Sequence, residues 1–337
     1  MLKEIEGKTI LITGGTGFLG RALTKELLKQ NPRSIRIFSR DEVKHHKFEE
    51  YFKKNPKLRN FMGDVRDYSR VLKATHGADI VIHAAALKRI DMLEYNVEES
   101  IKTNIIGTLN VVRACLENDV EKVVFVSTDK ACSPVNGYGA CKFVSERMMT
   151  ESNFSKGFSK TIFTSVRYGN VISSTGSIVP FLIDKIKNGE DFLLTDPGMT
   201  RFLITSKQAV DLIFKALKYG IGGEVFVPKI PSFKIVDLME YLKKEHGTKN
   251  KIKIIGMRPG EKLHELMINF EESRKTYELK DVLIITSQIE KYHPELKKEY
   301  LKNARKVKFK EYSSENNLLE GEKLEEYFKK INIKQYF

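Results

Sequence analysis

The chain has 337 residues, 41% of them hydrophobic and 30% charged, enough for one large core or a large core with a smaller second one. Its formal charge of +14 is scattered, with no basic block and no helix-turn-helix, RNP or zinc-finger pattern. Nucleic acid is therefore not an expected partner, whereas an anionic nucleotide is.

Cys115, Cys132 and Cys141 are odd in number and form no C-x-x-C, which argues against a disulfide framework or a zinc site and points to a reducing cytoplasm. No histidines stand in H-E-x-x-H spacing, His45 and His46 sit in a charged run where exposure is expected, and no metal site is predicted. The opening MLKEIEGK is charged and no apolar run approaches the roughly 18 residues that a membrane helix needs. Neither a signal peptide nor a membrane association is expected.

Lys8 to Thr13 is β-branched and runs into Gly14-Gly15-Thr16-Gly17-Phe18-Leu19-Gly20, followed by a helix with Leu19, Leu23 and Leu27 on one side and Pro32 beyond its end. Glycines at this spacing between strand and helix let backbone N–H groups approach a pyrophosphate at the positive helix end. Ser34 to Ser39 alternates as a second strand and ends at Arg40. An arginine there suits the 2′-phosphate of NADP, where NAD enzymes usually offer an acid. Asp41, next in line, is either a helix cap or a ribose ligand.

Asn60 to Val65 reads as a third strand that leaves Asp64 and Val65 near an adenine, with capping the other role open to Asp64. Asp79 to Ala86 is a fourth, and Ala84, Ala85 and Ala86 are small enough for a dinucleotide to pass. Lys88 on the following loop is a candidate for phosphate, ribose or substrate, and Asn104 opens a buried helix from which it can order the site through backbone contacts. Strand and helix alternate through residue 130, which predicts an α/β fold with a doubly wound parallel sheet.

The stretch VVFVSTDKACSPVNGYGACK, Val123 to Lys142, starts as a strand and ends in a helix carrying Tyr138 and Lys142. Four-residue spacing sets phenol and ammonium on one face. A nearby cation favours the phenolate, so Tyr138 is expected to titrate below its reference value of about 10 and act as a base. Thr128, Asp129 and Lys130 fall where a parallel strand delivers its carboxyl end to a site.

Beyond the strand Thr161 to Val166, which ends in RYGNV, the polar loop SSTGSIVP and the turn-rich NGEDFLLTDPGMTRF suit substrate groups. Thr205 to Tyr219 is helical and GGEVFVPK reads as the last strand of the body; an amphipathic helix covers Lys234 to His246. The expected partition is a nucleotide-binding Rossmann domain over 1–170, completed by about 199–228. A substrate lobe and tail take 171–198 and 229–337. The tail holds one apolar strand, DVLIITS, a last helix near Glu320 to Lys330, and no chemistry.

Together TGGTGFLG, Tyr138 with Lys142, and the terminal lobe resemble an extended short-chain dehydrogenase/reductase. SRDE, GDVRD, HAAALK, STDKAC followed by PVN and YGA-K, RYGNV, MTRF and RPGEKLHE resemble more narrowly the inverting UDP-N-acetylglucosamine 4,6-dehydratases that open pseudaminic acid synthesis. That resemblance runs from the first strand to about residue 290.

It implies a recycled NADP held by Gly14, Thr16, Gly17, Phe18, Leu19, Gly20, Ser39, Arg40, Asp64, Val65, Ala84 to Ala86, Lys88, Tyr138 and Lys142. It further implies that Tyr138 takes the O4 proton, that Thr128 hydrogen-bonds O4, that Lys130 removes the C5 proton and that Asp129 protonates the departing C6 hydroxyl. Lys88, Asn170, Arg201, Arg258 and Glu261 become candidates for the UDP-sugar, and a homodimer or hexamer is implied. Non-inverting relatives commonly carry methionine where this chain has Tyr138. A 4-epimerase, which needs only Tyr138 and Lys142, is the enzymatic alternative, and a cofactor-binding regulatory protein the non-enzymatic one.

Overall fold

The computed structural model describes residues 2–172, 174, 177–291 and 298–333. Ten strands form one sheet, in the order 305–306, 276–279, 282–285, 225–228, 162–166, 122–126, 80–83, 9–13, 34–39, 58–62. The seven from 225–228 to 58–62 run parallel. Order reverses between Thr9–Thr13 and Ile80–His83, the first of which opens the sequence and pairs on both sides. Such a reversal opens a crevice at the strand carboxyl ends, where ligands bind in open α/β sheets.

Both faces of this sheet are covered, so its central strands read as continuous apolar runs. Thr9–Thr13 and Ile80–His83 are buried at every position. The helix Phe18–Leu28 turns Leu23 and Leu27 inward, and Ser206–Tyr219 buries Ala209, Val210, Ile213 and Leu217 in the same core. Each follows from apolar spacing of three and four.

A smaller core gathers Val179, Leu182, Leu238, Leu242 and Phe328 from the helices Ile178–Lys187, Ile235–His246 and Gly321–Lys330, with Phe192 from the strand Phe192–Leu194. Beside it lies a three-stranded sheet ordered 232–234, 200–204, 170–171. Of the predicted loop SSTGSIVP, residues 173, 175 and 176 lie outside the described residues.

The chain after 228 departs from the partition read in the sequence. Thr276–Leu279, Val282–Ile285 and Arg305–Lys306 join the central sheet as an antiparallel extension, with Val282–Ile285 against Val225–Pro228. The segment 276–285 alternates as a hairpin whose apolar strand Val282–Ile285 is fully buried, and the free edge of Val225–Pro228 is the surface that covers it. No described helix is long and apolar enough to cross a membrane.

Candidate active site

The glycine turn is built by contact as well as by conformation. Gly14 has φ +68°, and a Cβ there would meet the Ala85 backbone nitrogen at 2.9 Å; one on Gly20 would lie 2.1 Å from the Gly15 carbonyl oxygen. The first keeps the turn flush against Ala84 and Ala85, and the second seats the helix on the turn. No side chain caps the helix at Gly17, leaving the N–H groups at the Phe18 and Leu19 end for an anion.

Behind this cradle lies a buried histidine. Thr108 Oγ1 donates to the Asn104 carbonyl at 2.6 Å and so accepts from His83 Nε2 at 3.0 Å. Thr13 Oγ1, accepting from the Ala85 N–H at 3.2 Å, donates to His83 Nδ1 at 2.7 Å. His83 is thereby fixed as the neutral Nε2–H tautomer, and burial, then Lys142, pushes its pKa down to about 3. Asn104 meets the Leu87 N–H and C=O, each at 2.9 Å, which is the ordering by backbone contact that its position suggested. It lies in a π-helical turn, Ile101–Ile106, a geometry common at functional sites.

At the second strand end, Thr16 Oγ1 and Ser39 Oγ are 2.9 Å apart. Asp41 is the helix cap of its two readings, accepting from Lys44 N at 3.0 Å. Arg40 is half-exposed and 3.4 Å from Asp64. Asp64 does not cap a helix: Arg66 takes its carboxylate, and Asp67 caps Tyr68–Thr75. Val65 packs under Gly107, while Lys88 stands at the exposed rim beyond Ala86. His45 corrects the expectation of exposure. It is 4% exposed, because Asn60 and Ser39 supply partners for both ring nitrogens.

Tyr138 and Lys142 share the helix Gly137–Ser155, capped by Asn136, whose side chain also holds the Gly260 carbonyl at 2.8 Å. The expected depression of the phenol is not what the structure gives. Burial pushes Tyr138 up to about 12, opposed by the Lys130 ammonium and a hydrogen bond to Thr128. Lys142 is occupied elsewhere, donating to the Val126 carbonyl at 2.8 Å over the Phe125 ring, and burial pulls its pKa down to about 7. Lysine 130, not 142, is the cation that acts on the phenol here.

Thr128, Asp129 and Lys130 leave the strand Lys122–Val126 in a single 3-10 turn. Asp129 Oδ1 accepts from Thr128 Oγ1 at 2.9 Å and from Lys130 Nζ at 3.0 Å, while its Oδ2 is buried without a partner. Lys130 Nζ is also 3.2 Å from Glu265 Oε1, and Glu265 Oε2 is likewise buried and unpartnered. Burial would strip the charge from Lys130, but the two carboxylates outweigh it and hold the amine as an ammonium well above the usual lysine value. Burial raises Asp129, helped by the charge of Glu265; burial opposes ionisation of Glu265 too, yet Lys130, Arg201 and Lys262 keep it below the ordinary glutamate value. The resting site thus presents a carboxyl poised to carry a proton beside a lysine already carrying one.

Glu265 escaped the sequence reading. RPGEKLHE drew attention to Arg258 and Glu261, which sit together on one loop, where the Arg258 backbone N faces Glu261 at 3.4 Å and the Arg258 side chain is exposed. The Arg201 guanidinium is buried, tied to the carbonyls of Thr200, Lys262 and Leu263, with Glu265 3.6 Å away. These bonds clamp the loop. Asn170 is half-buried at the start of Asn170–Val171, close to Gly169, where a Cβ would stand 3.3 Å from Asp129 Oδ2.

A sequence profile of the polysaccharide biosynthesis protein family matches residues 10–287. The chain is 46% identical to a Campylobacter jejuni protein named UDP-N-acetylglucosamine 4,6-dehydratase (inverting), across 84% of each chain. It is 41% identical to a Rickettsia massiliae protein named UDP-glucose 4-epimerase, across 81% of each. The X-ray structure of Pen from Bacillus thuringiensis superposes with a TM-score of 0.91 at 38% identity, over 98% of this chain and 99% of that one. The profile match spans the glycine turn and most of the central sheet, and this chain belongs to the polysaccharide biosynthesis protein family.

Proposed function

We propose that the protein is an inverting UDP-N-acetylglucosamine 4,6-dehydratase, yielding UDP-2-acetamido-2,6-dideoxy-β-L-arabino-hex-4-ulose. The observation that carries this reading is the turn Thr128-Asp129-Lys130, which sets an acid and an amine from adjacent residues beside the buried Tyr138. An epimerase needs no such pair. The Campylobacter relative's name supports the same choice, and the Rickettsia name keeps epimerisation as the second reading.

The glycine turn Gly14 to Gly20, with the uncapped N–H groups at Phe18 and Leu19, would hold a nicotinamide dinucleotide, whose chemistry there would be hydride acceptance from C4 and its return at C6. Arg40, beside a hydroxyl at Ser39 and with Asp41 committed to its helix, favours NADP over NAD. Tyr138 takes the O4 proton. Once C4 is a ketone the C5 proton is acidified, Lys130 removes it, and Asp129 protonates the departing C6 hydroxyl. Reprotonation at C5 from the opposite face gives the inverted product.

For this the proton on Lys130 has first to pass to Asp129 Oδ1, 3.0 Å away, which yields the neutral amine and neutral acid in one transfer. We assign the reaction to the cytoplasm and to pseudaminic acid synthesis. A homo-oligomer is also part of the proposal, supported by Met92, Tyr95, Val97, Ile101, Phe143 and Val144, which stay exposed around the Tyr138 helix.

Incubation with UDP-N-acetylglucosamine in deuterated solvent, read by mass spectrometry, tests the reading. The expected product has lost water and carries deuterium at C5. An isomer of unchanged mass would establish epimerisation instead. Lys130→Ala should abolish water loss, and Tyr138→Phe should abolish the preceding oxidation; near-normal turnover by Lys130→Ala would refute the assigned base.

A further inference from the structure

Glu265 is 2% exposed, and its carboxylate faces Lys130 at 3.2 Å and Arg201 at 3.6 Å, with Lys262 a further positive charge nearby. A glutamate kept in a core for stability has both oxygens bonded. Here Oε2 has no partner, so burial of this charge is not offset by structural hydrogen bonds. Its backbone, by contrast, is firmly set, with Glu265 N donating to Ser314 Oγ and Ser314 N to Glu265 O, both at 2.8 Å.

We propose that Glu265 is a positioning residue for the water-loss step, the second of two carboxylates that hold the Lys130 amine in place and in its proton-loaded form until the proton is passed to Asp129. The inference rests on the dehydratase reading for its place in the reaction. In the transfer, the Nζ–H bond breaks, an O–H bond forms on Asp129 Oδ1, and the lone pair left on nitrogen is the one that attacks the C5 proton. Glu265 keeps its own charge throughout, because Arg201 lies 3.6 Å away and Lys262 adds a further positive charge.

The groups that face Lys130 are Asp129 on its own turn, Glu265 and Lys262 from the RPGEKLHE loop, Arg201 from Thr200–Ile204 and Tyr138 from the catalytic helix. Glu265 is the one anion among them that comes from outside the turn. His264, next to it, is directed to Thr200 and Glu315.

The test uses the full-length protein and reads the amine directly. Trace acetylation of Lys130 across an alkaline pH series, quantified by peptide mass spectrometry, gives its titration midpoint. Glu265→Gln should move that midpoint down by about one pH unit or more, making Lys130 roughly tenfold more reactive at a fixed pH below it. Glu265→Asp, which keeps the charge at a longer distance, should fall between the two and serves if the glutamine variant does not fold.

The same variants are assayed for water loss, where the alkaline fall in rate, as the proton shared by Lys130 and Asp129 is lost to solvent, should move to lower pH in Glu265→Gln by the same shift, with KM little changed. An unmoved acetylation midpoint, or a uniform loss of rate at every pH, would overturn the proposal. Lys130→Met separates the two ideas: turnover by that variant would remove lysine from the reaction, while the acetylation midpoints would still report whether Glu265 governs its charge.

Discussion

Two buried clusters in this molecule have the same formal make-up, one cation between two carboxylates, and opposite construction. Arg167 is fully buried, and its five N–H groups go to both oxygens of Glu146, both oxygens of Glu272 and the Met267 carbonyl, at 2.6 to 3.0 Å. Nothing in it is left to bond. Around Lys130 the geometry is looser, at 3.0 and 3.2 Å, and one oxygen of each carboxylate has no partner. A saturated cluster joins the helix Gly137–Ser155 to the end of the strand 162–166 and the tail. An unsaturated one keeps acceptors free for a ligand, at a cost in stability that only a site would retain.

The contrast is open to attack from both sides. The largest effect is expected from Arg167→Met, which strands two buried carboxylates and should cost about 3–5 kcal/mol in urea unfolding. Lys130→Met should cost far less, within about 1 kcal/mol, because Asp129, already raised by burial, can take up a proton and Arg201 and Lys262 stay beside Glu265; its loss is catalytic, on the order of a hundredfold or more in water loss. If the two variants unfolded alike, the distinction between the clusters would fail.

Acidification sharpens it next. Burial opposes the charge on Glu272, but Arg167 outweighs burial and keeps the carboxyl below the ordinary glutamate value. Its stabilising contribution is therefore complete above that ordinary value and lost as pH falls through the lower, folded one. The stability difference between wild type and Glu272→Gln should shrink over that acid window in urea titrations, and a difference independent of pH would contradict the pairing. The smallest effect is predicted for Ser314→Ala, about 0.5–1.5 kcal/mol in unfolding, since it removes the hydroxyl that seats Glu265 and meets Thr200. Its water-loss rate should fall several-fold while Arg167-dependent stability is untouched.

How far the sequence displayed this follows from distance along the chain. The glycine turn, the alternating strands and the 128–142 segment are local, and their chemistry is carried by spacing alone. Asn104 was legible because a lone amide on a buried helix needs a partner, and the loop after the fourth strand was the available one. Glu265 was not legible: it lies far from Lys130 in sequence, in a motif whose more conspicuous charges, Arg258 and Glu261, drew the attention.

Local spacing also misled where tertiary contacts prevail. The four-residue step does put Tyr138 and Lys142 on one helix, but the Val126 carbonyl captures the lysine. In the same way, His45 looks solvated in EVKHHKF and is buried by Asn60 on a neighbouring strand. The tail strand 282–285 reads as an appendage, and its partner 276–279 does not read as a strand, because nothing local says which edge they will cover.

The pairing of Glu265 with Ser314 has a consequence for the order of synthesis. A nascent polypeptide that has emerged only as far as residue 300 already contains the whole nucleotide cradle, Tyr138 and the Asp129 to Lys130 turn, yet lacks the backbone rung that fixes the second anion. Such a chain would be able to grip its cofactor before the last of the charges around its reactive amine was locked down. Catalytic competence would then arrive late and all at once, when the final few dozen residues fold back onto the body.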